Sequence, residues 1–345
     1  TDRRAAADIE HVAADQGVFV RVGMSEHEVS FFSTTFTGLK PGARLIVLGA
    51  VHGNETCGTQ AIERVIAEIR AGQIHIAAGS VTLVPVTNPL AYARKQRMGD
   101  RNLNRNLYPQ SAPREFEDHV ANWLCPLLAQ HEVLLDLHSF HTPGEPFVML
   151  GPDNNTGPLE PFAQAAREEA LALRLGVRRL VDGWLDTYAA GVRRRVAQHP
   201  IEAEARDLNT DPRYGVGTTE YMRSVGGSAL TLECGQHDDP AAPQVAYHAT
   251  LNTLAHLGLI AQPAPPAVPN PQALRLYQVI DKAHIDDTFS RAWASFDPVA
   301  AGELIGVRQD GTEVHAEDSG FIVFPNPKAL PGQEWFYLAR RSGRV

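Results

Sequence analysis

RLIVLGAVHGNE, residues 44–55, begins as an unbroken apolar run and ends in a polar turn punctuated by glycine. Read as a strand, Arg44–Ala50 has no polar face after its first residue, so both of its sides must be covered. Two further runs share this character, SVTLVPV at 80–86 and VLLDL at 133–137. Helical stretches lie between them. Thr59–Ala71 places Ile62, Val65, Ile66 and Ile69 on one face, and Phe116–His131 is the second. Strands alternating with helices predict an α/β architecture, a sheet buried between helices. In such sheets, polar residues just beyond a strand's carboxyl end are the usual place for a site.

Working outward, Val245–Ile260 reads as an amphipathic helix and is followed by AQPAPPAVPNP, residues 261–271, with five prolines and no charge. Proline fixes φ and removes a backbone donor, so this segment reads as a semi-rigid connector. Beyond it, Leu276–Ile280, Gly320–Phe324 and Trp335–Leu338 are short β-rich runs broken by Gly, Asp, Asn and Pro. The expected organisation is a large domain over 1–260, a linker over 261–271 and a small β domain over 272–345. With 345 residues, 43% hydrophobic and 21% charged, the chain can bury a sizeable core. A net charge of −9 argues against nucleic acid or an anionic membrane surface as the main partner. Cys57, Cys125 and Cys234 include no CxxC pair, which argues against a disulfide framework and fits a reducing compartment. The longest apolar runs, such as Leu45–Val51, fall well short of the ~18 residues of a membrane span. Thr1–Gln16 lacks the apolar core of a signal peptide. A soluble, cytoplasmic protein is expected.

The chemistry-bearing residues sit where the strands end. His52 and Glu55 are three apart in a glycine-containing turn entering a helix, and His138 directly follows the run at 133–137. Two histidines and one carboxylate at two core strand ends could form a His2Glu set with a position left open for water, the arrangement of a catalytic zinc. Taken singly, each also reads as an ordinary loop residue. RMGDRNLNRN, residues 97–106, supplies guanidinium and amide groups that could fork a carboxylate, or could be a solvated loop. The apolar strand ALTLE at 229–233 ends in Glu233, placed as a general base or as an ion-pair partner.

In this order, His52-Gly-Asn-Glu55, Arg97 with Asn102-Leu-Asn-Arg105, Asp136-Leu-His138 and Leu232-Glu233 together resemble the succinylglutamate desuccinylase/aspartoacylase family, a branch of the zinc carboxypeptidase-like hydrolases. The likeness covers most of residues 40–260. It implies a mixed, largely parallel sheet flanked by helices, with a smaller C-terminal β domain. It implies one zinc ion per chain held by His52, Glu55 and His138, with Glu233 as catalytic carboxylate and Arg97 holding and polarising the scissile carbonyl. Asn104, Arg105 and Arg223 would bind the substrate carboxylate. The implied activity is hydrolysis of the amide bond of a small N-acyl amino acid. Peptide cleavage by a zinc carboxypeptidase and non-catalytic binding of a small molecule are the alternatives, and homo-oligomerisation stays open.

Two positions depart from the family pattern. Asn102 stands where an aspartate is usual, and Thr219 stands where a tyrosine is common, with Tyr221 close by. Both departures are expected around the substrate rather than the metal. His141 and His237 are candidates to line the pocket, His141 also as a competing ligand. Arg193–Arg195 reads as a solvated helix face. Cys57 and Cys234 read as packing residues. There is no GxGxxG, P-loop or GxSxG, so nucleotide and serine-hydrolase readings lack their motifs.

Overall fold

In the computed structural model, which describes residues 9–14, 17–24, 27–198 and 210–344, the apolar run at 44–48 ends strand β4 (Lys40–Leu48). Leu45 and Val47 pack on one face of the sheet and Ile46 and Leu48 on the other, all four fully buried. Strands β5 (Ala78–Val84) and β6 (Val133–Phe140) flank β4, and β9 (Ser228–Gln236) lies beyond β6. These four run parallel, each covered on both faces, as their continuous apolar composition requires.

Antiparallel strands extend this centre in both directions to thirteen strands. On the β5 side lie β3 (His27–Thr37), β2 (Gly17–Met24) and β1 (Ile9–Ala14). On the β9 side, β7 (Phe147–Met149) is antiparallel to β9, and β8 (Arg179–Asp182) is parallel to β7. The proline-rich segment then crosses the surface, with Val268 N donating to Leu173 O. It delivers β10 (Gln272–Asp281) parallel to β8, followed in the sheet by β16 (Glu334–Arg341), β15 (Gly320–Val323) and β12 (Pro298–Val299). A separate three-stranded sheet joins β11 (Thr288–Phe289), β13 (Leu304–Val307) and β14 (Glu313–His315). The C-terminal strands enclose their own core around Trp293, Ile305, Trp335 and Phe336.

The helices are α1 (Cys57–Arg70), α2 (Pro89–Arg94), α3 (Phe116–Leu128), α4 (Ala165–Ala172), α5 (Trp184–Gln198), α6 (Thr218–Ser224) and α7 (Ala242–His256). Ile62, Val65 and Ile66 of α1 meet Ala246, Ala249 and Leu254 of α7 on one face of the sheet. Each such side chain contributes about 1.5–3 kcal/mol on burial. Phe116, Val120 and Leu124 of α3 seal the other face. The α/β class, the mixed sheet and the C-terminal strands are as the sequence implied. No helix among the described residues is long and apolar enough to cross a membrane.

Candidate metal centre

At the carboxyl end of β4 the chain is pinned before it enters α1. Gly49 N donates to Val84 O, while Gly49 O and Ala50 O accept from Thr87 N and Asn88 N. Gly53 packs so closely on α2 that a Cβ there would lie 2.0 Å from the Ala91 carbonyl carbon. This tight turn aims His52 and Glu55 at the neighbouring strand end, where His138 emerges from β6. All three side chains are buried.

Glu55 is the pivot. Its Oε1 lies 2.9 Å from His52 Nδ1 and its Oε2 lies 2.9 Å from His138 Nδ1. Arg97 Nη1 donates to Oε1 at 3.0 Å, and Ser139 N donates to Oε2 at 3.2 Å. One ligand atom from each of His52, Glu55 and His138 falls within 4.8 Å of the others. The outer ring nitrogens are also faced by acceptors. His52 Nε2 is 3.0 Å from Asn102 Oδ1, and His138 Nε2 is 2.9 Å from Asp136 Oδ2, although the latter contact is out of line for a hydrogen bond. At His52 the Asn102 oxygen favours a proton on Nε2 and turns the Nδ1 lone pair towards Glu55. Burial, followed by the positive Arg97, lowers His52 to about 4. Burial would do the same to His138, but Asp136 and Glu55 hold it well above the usual histidine range. Burial disfavours the Glu55 anion, yet the two histidines keep its carboxyl well below the ordinary value.

Glu233 faces this cluster from β9, where it is the register partner of His138. It is buried, and its Oε2 has no hydrogen-bond partner. Burial, with repulsion from Glu55 and Asp136, outweighs attraction to His138 and Arg97 and pushes it up to about 8. A carboxyl near neutrality that spends no oxygen on the fold is suited to move a proton.

The family model described as the succinylglutamate desuccinylase/aspartoacylase catalytic domain matches residues 41–143, the span that holds His52, Glu55, Arg97 and His138. A succinylglutamate desuccinylase/aspartoacylase from Rhodobacter sphaeroides is similar over 97% of this chain and 100% of its own, with TM-score 0.72 and 18% identity. The product-bound ectoine utilization protein EutE (DoeB) from Ruegeria pomeroyi is similar over 98% and 100%, with TM-score 0.70 and 17% identity. An aspartoacylase family protein from Mesorhizobium loti gives 99% and 100%, TM-score 0.66 and 17% identity. No curated protein sequence matches the chain.

Of the other residues the desuccinylase/aspartoacylase resemblance assigns, Arg97, Asn104 and Arg105 line the same cavity of about 960 Å³ as the metal cluster. Asn104 Oδ1 accepts from Thr218 N. Arg105 lies over the Trp184 ring, and its Nη2 is 3.1 Å from Glu334 Oε1. Arg223 also borders the cavity, but its guanidinium is held by Glu168 and Glu160 at 2.8 Å each and by Ala229 O. Glu220 lies 3.6 Å away. Arg223 is thus the centre of a buried carboxylate cluster. Asn102 also lines the cavity, and there its Oδ1 meets the outer nitrogen of His52. Tyr221 does not stand in for Thr219, since it packs towards Tyr108 and the α3 core. His141 lines the cavity and meets His237 edge to face, and His237 Nδ1 lies 2.8 Å from Ser139 Oγ. His141 is not in the three-residue cluster. Glu334, Tyr188 and Tyr337 also line the cavity and were not singled out from sequence. They come from α5 and β16, far along the chain, and no local spacing marks them.

Proposed function

We propose that this chain is a zinc-dependent deacylase that hydrolyses the amide bond of a small N-acyl amino acid. The observation that carries the reading is the buried His52–Glu55–His138 cluster with the unpartnered Glu233 oxygen across from it. The donor set fits zinc. Two imidazole nitrogens and a carboxylate converge, with acceptors behind both rings, and the cavity leaves one side open. When bound, zinc supplies the Lewis acidity that acidifies water and polarises a carbonyl at neutral pH.

The chain's own residues do the rest. Glu233 Oε2 accepts the proton of the attacking water and passes it to the leaving nitrogen, so the amine departs neutral. Arg97, already beside Glu55, donates to the negative charge that develops on the carbonyl oxygen, a contribution of about 3–4 kcal/mol for a well-placed donor. Arg105 holds a carboxylate of the substrate, and the aromatic ring of Trp184 fixes its plane. The C-terminal strands that carry Glu334 and Tyr337 wall the cavity, which suits a small acylated amino acid better than a peptide.

The test is zinc content by mass spectrometry, combined with amine release from a panel of N-acyl amino acids. One zinc per chain and chelator-sensitive amine release are expected. A protein purified and reconstituted with zinc that holds none, or that releases no amine from any member, overturns the proposal.

A further inference from the structure

Three consecutive backbone amides, those of Gly99, Asp100 and Arg101, converge on one carboxylate. Glu117 lies in the first turn of α3 and is 0% exposed. Its Oε1 accepts from Gly99 N at 2.8 Å, and its Oε2 accepts from Asp100 N and Arg101 N at 3.1 Å each. Oε1 also accepts from Asn88 Nδ2 at 2.8 Å. Both oxygens are thus taken up by N–H donors, at a helix start that favours negative charge. Gly99 is packed onto the carboxylate, since a Cβ there would lie 2.7 Å from Oε1.

The residues on either side of this anchor carry the chemistry. Arg97, two residues before Gly99, reaches Glu55, and Asn102, directly after Arg101, reaches His52. Asn88 ties the same carboxylate to the turn that bears those two ligand candidates, because its N donates to Ala50 O. Ala50 holds φ at 46°, a left-handed conformation that alanine keeps only where its surroundings impose it. Glu117 therefore fixes the Arg97 loop and the His52–Glu55 turn against one another. The far end of the loop is held by other means. Asn104 Oδ1 accepts from Thr218 N, while Asn106 N and Leu107 N donate to Tyr214 O and Val216 O. A buried charge that only filled space could give way to an apolar side chain; four directed donors give this one a positional task.

We infer that Glu117 is a positioning residue: it sets Arg97 and Asn102 at the reaction centre and leaves the Arg105 end of the cavity to its own anchors. The inference deepens the deacylase reading, on which its kinetic arm rests.

Glu117→Gln keeps the shape, but its amide nitrogen cannot accept, so two of the four donors lose their partner. At saturating zinc, kcat for the N-acyl amino acid that wild type cleaves fastest should fall at least tenfold, while KM changes less than threefold. In an Arg97→Ala background the same substitution should lower kcat by less than a further threefold, because Glu117 acts through Arg97. Amide hydrogen exchange of the metal-free chain gives a reading independent of turnover. Exchange at Gly99, Asp100 and Arg101 should accelerate at least tenfold in Glu117→Gln, with Val120 and Leu124 of α3 unchanged. Gly99→Ala pushes the loop off the carboxylate without altering α3, and provides the same tests where Glu117→Gln does not fold. Equal effects on kcat and KM, or losses that multiply in the double variant, overturn the inference while leaving the deacylase reading intact. If wild type cleaves no N-acyl compound, the deacylase reading fails and exchange alone decides: acceleration confined to residues 99–101 upholds the anchor. Unchanged exchange there overturns it in either case.

Discussion

At the scale of single residues, the division of labour around the cluster gives two sharp tests. Glu233 contributes no oxygen to the cluster's hydrogen bonds, so Glu233→Gln should leave zinc bound while turnover falls by about 10²-fold or more. Retention of a tenth of the wild-type rate would move the base elsewhere. Asn102 works at one remove, through the outer nitrogen of His52, and its Oδ1 also accepts from Asn104 N. Removing that acceptor in Asn102→Leu frees the imidazole to rotate and change tautomer, which should weaken zinc about 10–100-fold in chelator competition. An unchanged affinity would show that Asn102 does not orient the ring. The ligand candidates themselves were legible in sequence because each lies within a few residues of a strand end, where chain direction fixes side-chain placement. The contact of Asn102 with His52 was not legible because it depends on a loop folding back across fifty positions of chain, which no periodicity encodes.

At the scale of elements, the parallel centre was readable because two-sided burial leaves an unbroken apolar run. The expected runs at 44–50, 80–86 and 133–137 fall on β4, β5 and β6. β7 and β8, with three and four residues, are too short to carry a pattern. The alternation in β6 places Leu135 against α1 while Asp136 points to the opposite face, so one strand serves the core and the site at once. Leu135→Ala should therefore cost about 2–5 kcal/mol in urea unfolding, the range for a fully buried leucine. A loss under 1 kcal/mol would mean that α1 collapses into the space. Arg223 belongs to this scale as well, because it ties α6 to Glu168 of α4. Arg223→Lys keeps the charge but cannot reproduce three directed contacts. It should lower Tm by several degrees and depress kcat/KM for acidic and amide substrates alike. A selective loss for the acidic substrate at unchanged Tm would restore the substrate-binding role that the family resemblance implies.

Across the whole molecule, buried charge is organised in clusters, and folding is therefore linked to pH. Around Arg223, Glu160 is pushed up to about 7, first by burial and then by Glu220 and Glu168, with Arg223 opposing. An acid whose folded value exceeds its unfolded value near 4.5 holds its proton longer in the native state. Between those two values the folded chain binds more protons than the unfolded chain, so this group's contribution to stability declines as pH rises and levels off above about 7. The direction is opposite to that of a surface carboxylate stabilised by an ion pair. Glu160→Gln removes the ionisation while preserving size and an oxygen that can accept from Arg223. Urea unfolding of both proteins at pH 5 and pH 8 isolates the effect, because every other titrating group is common to them. The variant should gain stability relative to wild type on going from pH 5 to pH 8. A stability difference that stays constant between the two pH values would mean that Glu160 is ionised throughout, with Arg223 outweighing the cost of burial.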